Sequence, residues 1–131
     1  MRKNFRMNKP FSFRGLIRSF RYAFTGIWTM LKSQQNTWIH AFASIAVITA
    51  GFLFSITVAE WCWLVLAIMS VWVAEAFNTA IEFLADVASP EFNPLVKKAK
   101  DIAAGAVLIS AIGAIVLGII ILGPYVLKLL S

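Results

Sequence analysis

Three long apolar runs, at about 38–58, 61–85 and 102–122, constrain this chain more than any other feature. A bilayer core about 30 Å thick takes roughly 20 helical residues to cross, and each run is close to that length. Lipid offers backbone amides no partners, so such runs cross as helices that satisfy themselves. Only Ala59 and Glu60 separate the first two, which predicts a tight hairpin. Trp38, Trp61 and Trp63 stand near run ends, where interfacial aromatics belong.

Composition agrees. The chain is 60% hydrophobic and 14% charged, whereas a soluble domain is about half apolar and about a quarter charged. One domain is the natural reading of 131 residues. Cys62 is the lone cysteine and His40 the lone histidine, so disulfide frameworks and zinc or redox chemistry are poorly served.

The positive charge is concentrated. Arg2, Lys3, Arg6, Lys9, Arg14, Arg18, Arg21 and Lys32 precede the first run, with no acid among them. With no soluble module to read a groove, nucleic acid is a poor partner and anionic lipid headgroups a good one. Residues 1–10 are expected to be disordered, with 11–131 forming a single membrane-embedded domain. Over about 12–32, Phe13, Leu16, Ile17, Phe20, Phe24, Ile27, Trp28 and Leu31 follow helical spacing, and Arg14, Arg18 and Arg21 take another face. That pattern predicts an amphipathic helix in the headgroup layer.

Orientation follows from the loops. Lys97, Lys98 and Lys100 join the basic arm on one side, while the hairpin turn holds only Glu60 and the far end only Lys128. The positive-inside rule puts the N-terminus and the 86–101 connection in the cytoplasm. In the third run Ala106, Ser110, Ala114 and Gly118 recur every fourth residue, a small-residue stripe read as helix packing.

The second run carries Glu75, Asn78, Glu82 and Asp86. At about 3.6 residues per turn these return to nearly one side, a polar stripe about 16 Å long. Counted from Trp61 at the outer face, Glu75 lies past the midplane, and Glu82 and Asp86 lie near the cytoplasmic boundary. An acid at mid-span opposes insertion by about 2.5–3.5 kcal/mol, so Glu75 is read as functional. Asp86, beside Lys97, Lys98 and Lys100, is read equally well as a structural ion-pair partner.

Two chemistries suit the stripe. Carboxylates at the boundary suit Mg²⁺ shared with phosphate, a drier carboxylate suits removal of a hydroxyl proton, and Lys100 suits phosphate charge. The arrangement serves phosphoryl transfer to a lipid alcohol, or proton-coupled transport through one buried acid. The glycines form neither G-x-x-x-x-G-K-[ST] nor G-x-G-x-x-G.

The segment Ala74-Glu75-Ala76-Phe77-Asn78-Thr79-Ala80-Ile81-Glu82, followed by Asp86, Ser89-Pro90-Glu91 and Ala99-Lys100-Asp101-Ile102-Ala103-Ala104-Gly105-Ala106-Val107-Leu108, resembles the prokaryotic diacylglycerol kinase family, which includes undecaprenol kinases. Tyr22, Gly26 and Asn36-x-x-Ile39-His40 fit it too, and the similarity covers about residues 15–125. The resemblance implies an all-α membrane protein, a homotrimer of three-span subunits in the bacterial inner membrane with its active site facing the cytoplasm. It implies transfer of the γ-phosphate of ATP, with Mg²⁺, to a membrane lipid alcohol. Diacylglycerol is the expected acceptor and undecaprenol the second; the Asn36-x-x-Ile39-His40 segment leans toward the undecaprenol kinases.

Carried over by position, Glu75 resembles the general base, Asn78 a residue that helps hold its site, and Glu82 a ligand of nucleotide-bound magnesium. Asp86, Lys100, Asp101 and Tyr22 match positions that support the nucleotide. Where the family usually has a second metal-binding glutamate this chain has Gln34, which implies weaker metal affinity and raises the alternative of an inactive membrane scaffold. Asn93 stands where many relatives have histidine.

Overall fold

A computed structural model describes residues 10–131, in which four helices run in sequence: α1 (Phe13–Ser33), α2 (Gln35–Leu53), α3 (Val58–Ala88) and α4 (Pro94–Leu130). The disorder expected for residues 1–10 falls almost wholly outside the described residues. α2, α3 and α4 are each long and apolar enough to cross a membrane. α1 occupies the segment expected of the surface helix. Ser12 caps it, its side chain accepting from the Gly15 amide at 3.0 Å.

The first hairpin turns earlier than the sequence suggests. Helix α2 ends at Leu53 and α3 begins at Val58, so the break is Phe54–Thr57 and not Ala59–Glu60. A capping box sets this boundary: Thr57 Oγ1 accepts from the Glu60 amide, and Glu60 Oε1 accepts from the Thr57 amide. Ser55 takes a positive φ of 49° to complete the reversal. Trp61 then packs on α2, tilted against Phe52 with a ring edge at Gly51, where a Cβ would meet it at 2.6 Å.

The connection expected over 86–101 is also shorter. Asn93 caps α4 by accepting from the Leu95 and Val96 amides, and Pro94 fills a first-turn position that needs no N–H donor. α4 therefore starts eight residues before the third apolar run and takes in all three lysines. It continues through Pro124 to Leu130.

α3 and α4 form an antiparallel pair, held at one end by Lys100 Nζ donating to Asp86 Oδ1 (3.1 Å) and at the other by Tyr125 donating to Glu60 Oε1 (2.6 Å). Leu64, Ile56 and Ile121 make a small core at the Tyr125 end. The small-residue stripe of α4, read as helix packing, is only partly covered within the chain. Ala106 is exposed, Ala114 and Gly118 border an open cleft, and a Cβ on Gly118 would meet nothing within 4 Å. Most large apolar side chains of α2 and α4 face outward, as lipid-facing surfaces do.

Candidate lipid-kinase site

The antiparallel register of α2 and α3 places the polar stripe. Contacts between these helices step down α3 as they climb α2. Gln34 meets Glu82, His40 meets Glu75, Ser44 accepts from Trp72 Nε1, and Gly51 lies under Trp61. Gln34 heads this ladder because it is extended (φ −125°, ψ 119°), which stops α1 and turns the chain into α2.

Glu75 is 2% exposed, among the most enclosed side chains of the described residues. Its Oε2 lies 3.6 Å from His40 Nε2. Asn78 is 8% exposed, and its Oδ1 has no hydrogen-bond partner. A buried carbonyl oxygen without a donor is costly, by about 1–3 kcal/mol, so it marks a place built to receive one. Thr79 is buried beside them and spends its hydroxyl on the Glu75 carbonyl.

Two turns toward the end of α3, Glu82 is half-buried, and Gln34 Nε2 donates to its Oε2 at 2.9 Å. One turn further, Asp86 is exposed and pairs with Lys100. Asp101 pairs with Lys97 at 2.7 Å on the surface and does not join the stripe. Tyr22 stands 66% exposed on α1, and among the described residues no hydrogen bond or ion pair ties it to α3. Glu75, Asn78, Glu82 and Gln34 are thus gathered, Asp86 and Lys100 sit at the rim, and Asp101 and Tyr22 stand apart.

No group of three or more His, Cys, Asp or Glu side chains suited to a metal occurs among the described residues. Beside Gln34 the stripe offers the Glu82 carboxylate and, if the amide turns over, the carbonyl oxygen of Gln34, with Asp86 paired to Lys100 one turn on. That small, hard oxygen set fits Mg²⁺, which takes one or two protein ligands and draws the rest from phosphates and water.

An apolar cleft of about 830 Å³ opens between α2, α3 and α4 on the other side of Glu75. Its α3 wall is Leu64, Ala67, Ile68 and Val71, all preceding Glu75 along the helix. Along α3 the order is therefore apolar cleft, buried carboxylate, then polar rim.

Comparison with known proteins places this arrangement. The family model "Prokaryotic diacylglycerol kinase" matches residues 21–122, most of the chain. The chain belongs to the prokaryotic diacylglycerol kinase family. Two family relatives are an undecaprenol kinase of Bacillus subtilis, 38% identical over 82% of this chain and 87% of that protein, and a diacylglycerol kinase of Synechocystis, 40% identical over 88% of this chain but 66% of that protein. A diacylglycerol kinase of Helicobacter pylori is 33% identical.

As a member of this family the chain is a membrane lipid kinase, and the transporter alternative is left without a supporting observation. The sequence reading gave no role to His40. It was visible as the lone histidine, but its place was hidden by the turn. Its place across from Glu75 depends on where α2 turns into α3, and the observed register of the two helices brings His40 there.

Proposed function

We propose that this protein transfers the γ-phosphate of ATP to the hydroxyl of a membrane lipid, with magnesium on the nucleotide. The observation that carries the reading is the placement of Glu75, a carboxylate enclosed at apolar depth with Glu82 two turns away toward the helix end. Glu75 takes the hydroxyl proton as that oxygen bonds to the γ-phosphorus. The bond from phosphorus to the β,γ-bridging oxygen breaks, and ADP leaves. Asn78, buried one turn from Glu75, helps to hold that site. Magnesium, held through Glu82 and the carbonyl oxygen of Gln34, supplies neutralisation of phosphate charge when bound. Phosphoryl transfer depends chiefly on positioning and charge, so this short roll of polar side chains suffices.

The acceptor is undecaprenol ahead of diacylglycerol, the reverse of the order expected from sequence. Two observations favour that order. The undecaprenol kinase of B. subtilis aligns over 87% of its own length, while the Synechocystis diacylglycerol kinase aligns over 66% and extends well beyond this chain. Apart from His40, the cleft beyond Glu75 offers no free polar side chain: its serine, Ser44, already accepts from Trp72 and donates to the His40 carbonyl. Such walls suit a plain hydrocarbon tail better than one carrying ester carbonyls.

The basic arm and the lysine-rich start of α4 support a cytoplasmic active site in the inner membrane, with α1 on anionic headgroups. Three subunits in the working unit are what the family resemblance implies. The test is direct. Purified protein with ATP and Mg²⁺ phosphorylates undecaprenol faster than diacylglycerol in the same detergent. Glu75→Gln keeps ATP binding and loses at least about 100-fold in turnover, as removal of a general base does. Glu75→Gln with most of its rate intact overturns the assignment of the base.

A further inference from the structure

We infer that His40 is a positioning residue for Glu75. It holds one carboxylate oxygen so that the other is presented to the lipid hydroxyl. This inference rests on the reading of Glu75 as the base.

A carboxylate with 2% exposure at apolar depth needs a partner, because an unpaired charge there is strongly disfavoured. No lysine or arginine of the described residues supplies one. Lys97 and Lys100 are engaged with Asp101 and Asp86 at the rim, and the arginines of α1 form no ion pair with α3. The basic group that does face Glu75 is His40, with Nε2 at 3.6 Å from Oε2. That separation is a few tenths of an ångström beyond a hydrogen bond. The inferred contact closes this gap by rotation of the two side chains.

Two further features suit His40 to this task. It comes from a different helix, so the contact sets the carboxylate against an outside reference and not only against its own α3 rotamer. His40 also lines the apolar cleft, which Glu75 does not. A donor on the cleft side of Oε2 leaves Oε1 for the acceptor's proton. The backbone carbonyl of His40 receives the Ser44 hydroxyl, and Ser44 in turn receives Trp72 Nε1, which ties this turn of α2 to α3 one turn from Glu75. A base oriented by a third group, itself held in place, is a recurring way to fix a reacting side chain.

The test compares His40→Leu, which keeps bulk without a donor, with His40→Gln, which keeps a donor of similar reach. Both are measured with ATP varied at saturating lipid, alone and with Glu75→Gln. We expect His40→Leu to lower kcat about 10- to 100-fold, the range for losing a group that orients a reacting residue, with KM for ATP within about twofold. His40→Gln recovers most of that loss. With Glu75→Gln already present, His40→Leu costs nothing further, since the two act as one unit. The inference is overturned if His40→Leu keeps kcat, if His40→Gln is as slow as His40→Leu, or if the losses add across the two sites. If His40→Leu does not fold, His40→Ala takes its place against His40→Gln on the same readouts. An inactive Glu75→Gln beside a fully active His40→Leu sinks this inference alone, whereas an active Glu75→Gln sinks the base assignment with it.

Discussion

Gln34 Nε2 donates to Glu82 Oε2 at 2.9 Å, so the two groups that would share a metal are hydrogen-bonded to each other with the amide's nitrogen turned inward. For its carbonyl oxygen to ligate beside Glu82, the Gln34 amide must turn over and give up this bond. The site thus has one negative charge in place of two, and an internal contact that competes with the cation.

Gln34→Glu removes the competing donor and adds a charge. The Mg²⁺ needed for half-maximal rate should fall about tenfold, equivalent to about 1.4 kcal/mol. A magnesium titration at fixed ATP checks this, and an unchanged midpoint would place the metal elsewhere.

Lys100 and Asp86 pair at the rim with both side chains well open to water, so their bond contributes little to stability, about 0–1 kcal/mol. The lysine is then free to meet a phosphate. Lys100→Met should raise KM for ATP about tenfold, as loss of a charged hydrogen bond worth about 1.5–3 kcal/mol requires. Asp86→Asn should leave the melting temperature nearly unchanged. Steady-state kinetics with ATP varied, alongside thermal melts, separate the two effects.

Gly51 has no room for a side chain: a Cβ there would sit 2.6 Å from Trp61 Cη2 and 3.2 Å from Ile56 Cδ1. Gly51→Ala should destabilise the α2–α3 hairpin by about 1–3 kcal/mol, the usual penalty for overpacking. Trp61→Phe in the same chain should return part of it by shortening the ring that collides. Melting of both variants in one detergent gives the answer.

Tyr125 reaches from α4 to Glu60 at 2.6 Å, and Glu60 also caps α3. Tyr125→Phe should lower the melting temperature while kcat stays within about twofold, because this bond lies at the membrane face remote from Glu82. A matching loss of kcat would mean that the hairpin end communicates with the site.

Much of this was written in the residue order. Three spans follow from runs of about 20 apolar residues, and the single polar face of α3 follows from offsets of three, four and four between Glu75, Asn78, Glu82 and Asp86. Family membership was legible in the same stretch. The extent of α4 was not. Asn93 and Pro94 start it well before the apolar run, since a helix obeys its cap and not the hydropathy of what comes later.

The sequence alone determined that Glu75 and Glu82 share a face, because that depends only on the pitch of one helix. Only the tertiary structure decided what stands across from them. Gln34, His40 and Trp61 take their places from the turn at Phe54–Thr57, and moving that turn by two residues changes every facing pair by about one helical turn. Facing partners depend on where a chain reverses, and that is fixed by a cap and one left-handed residue, signals far weaker in sequence than the apolar runs beside them.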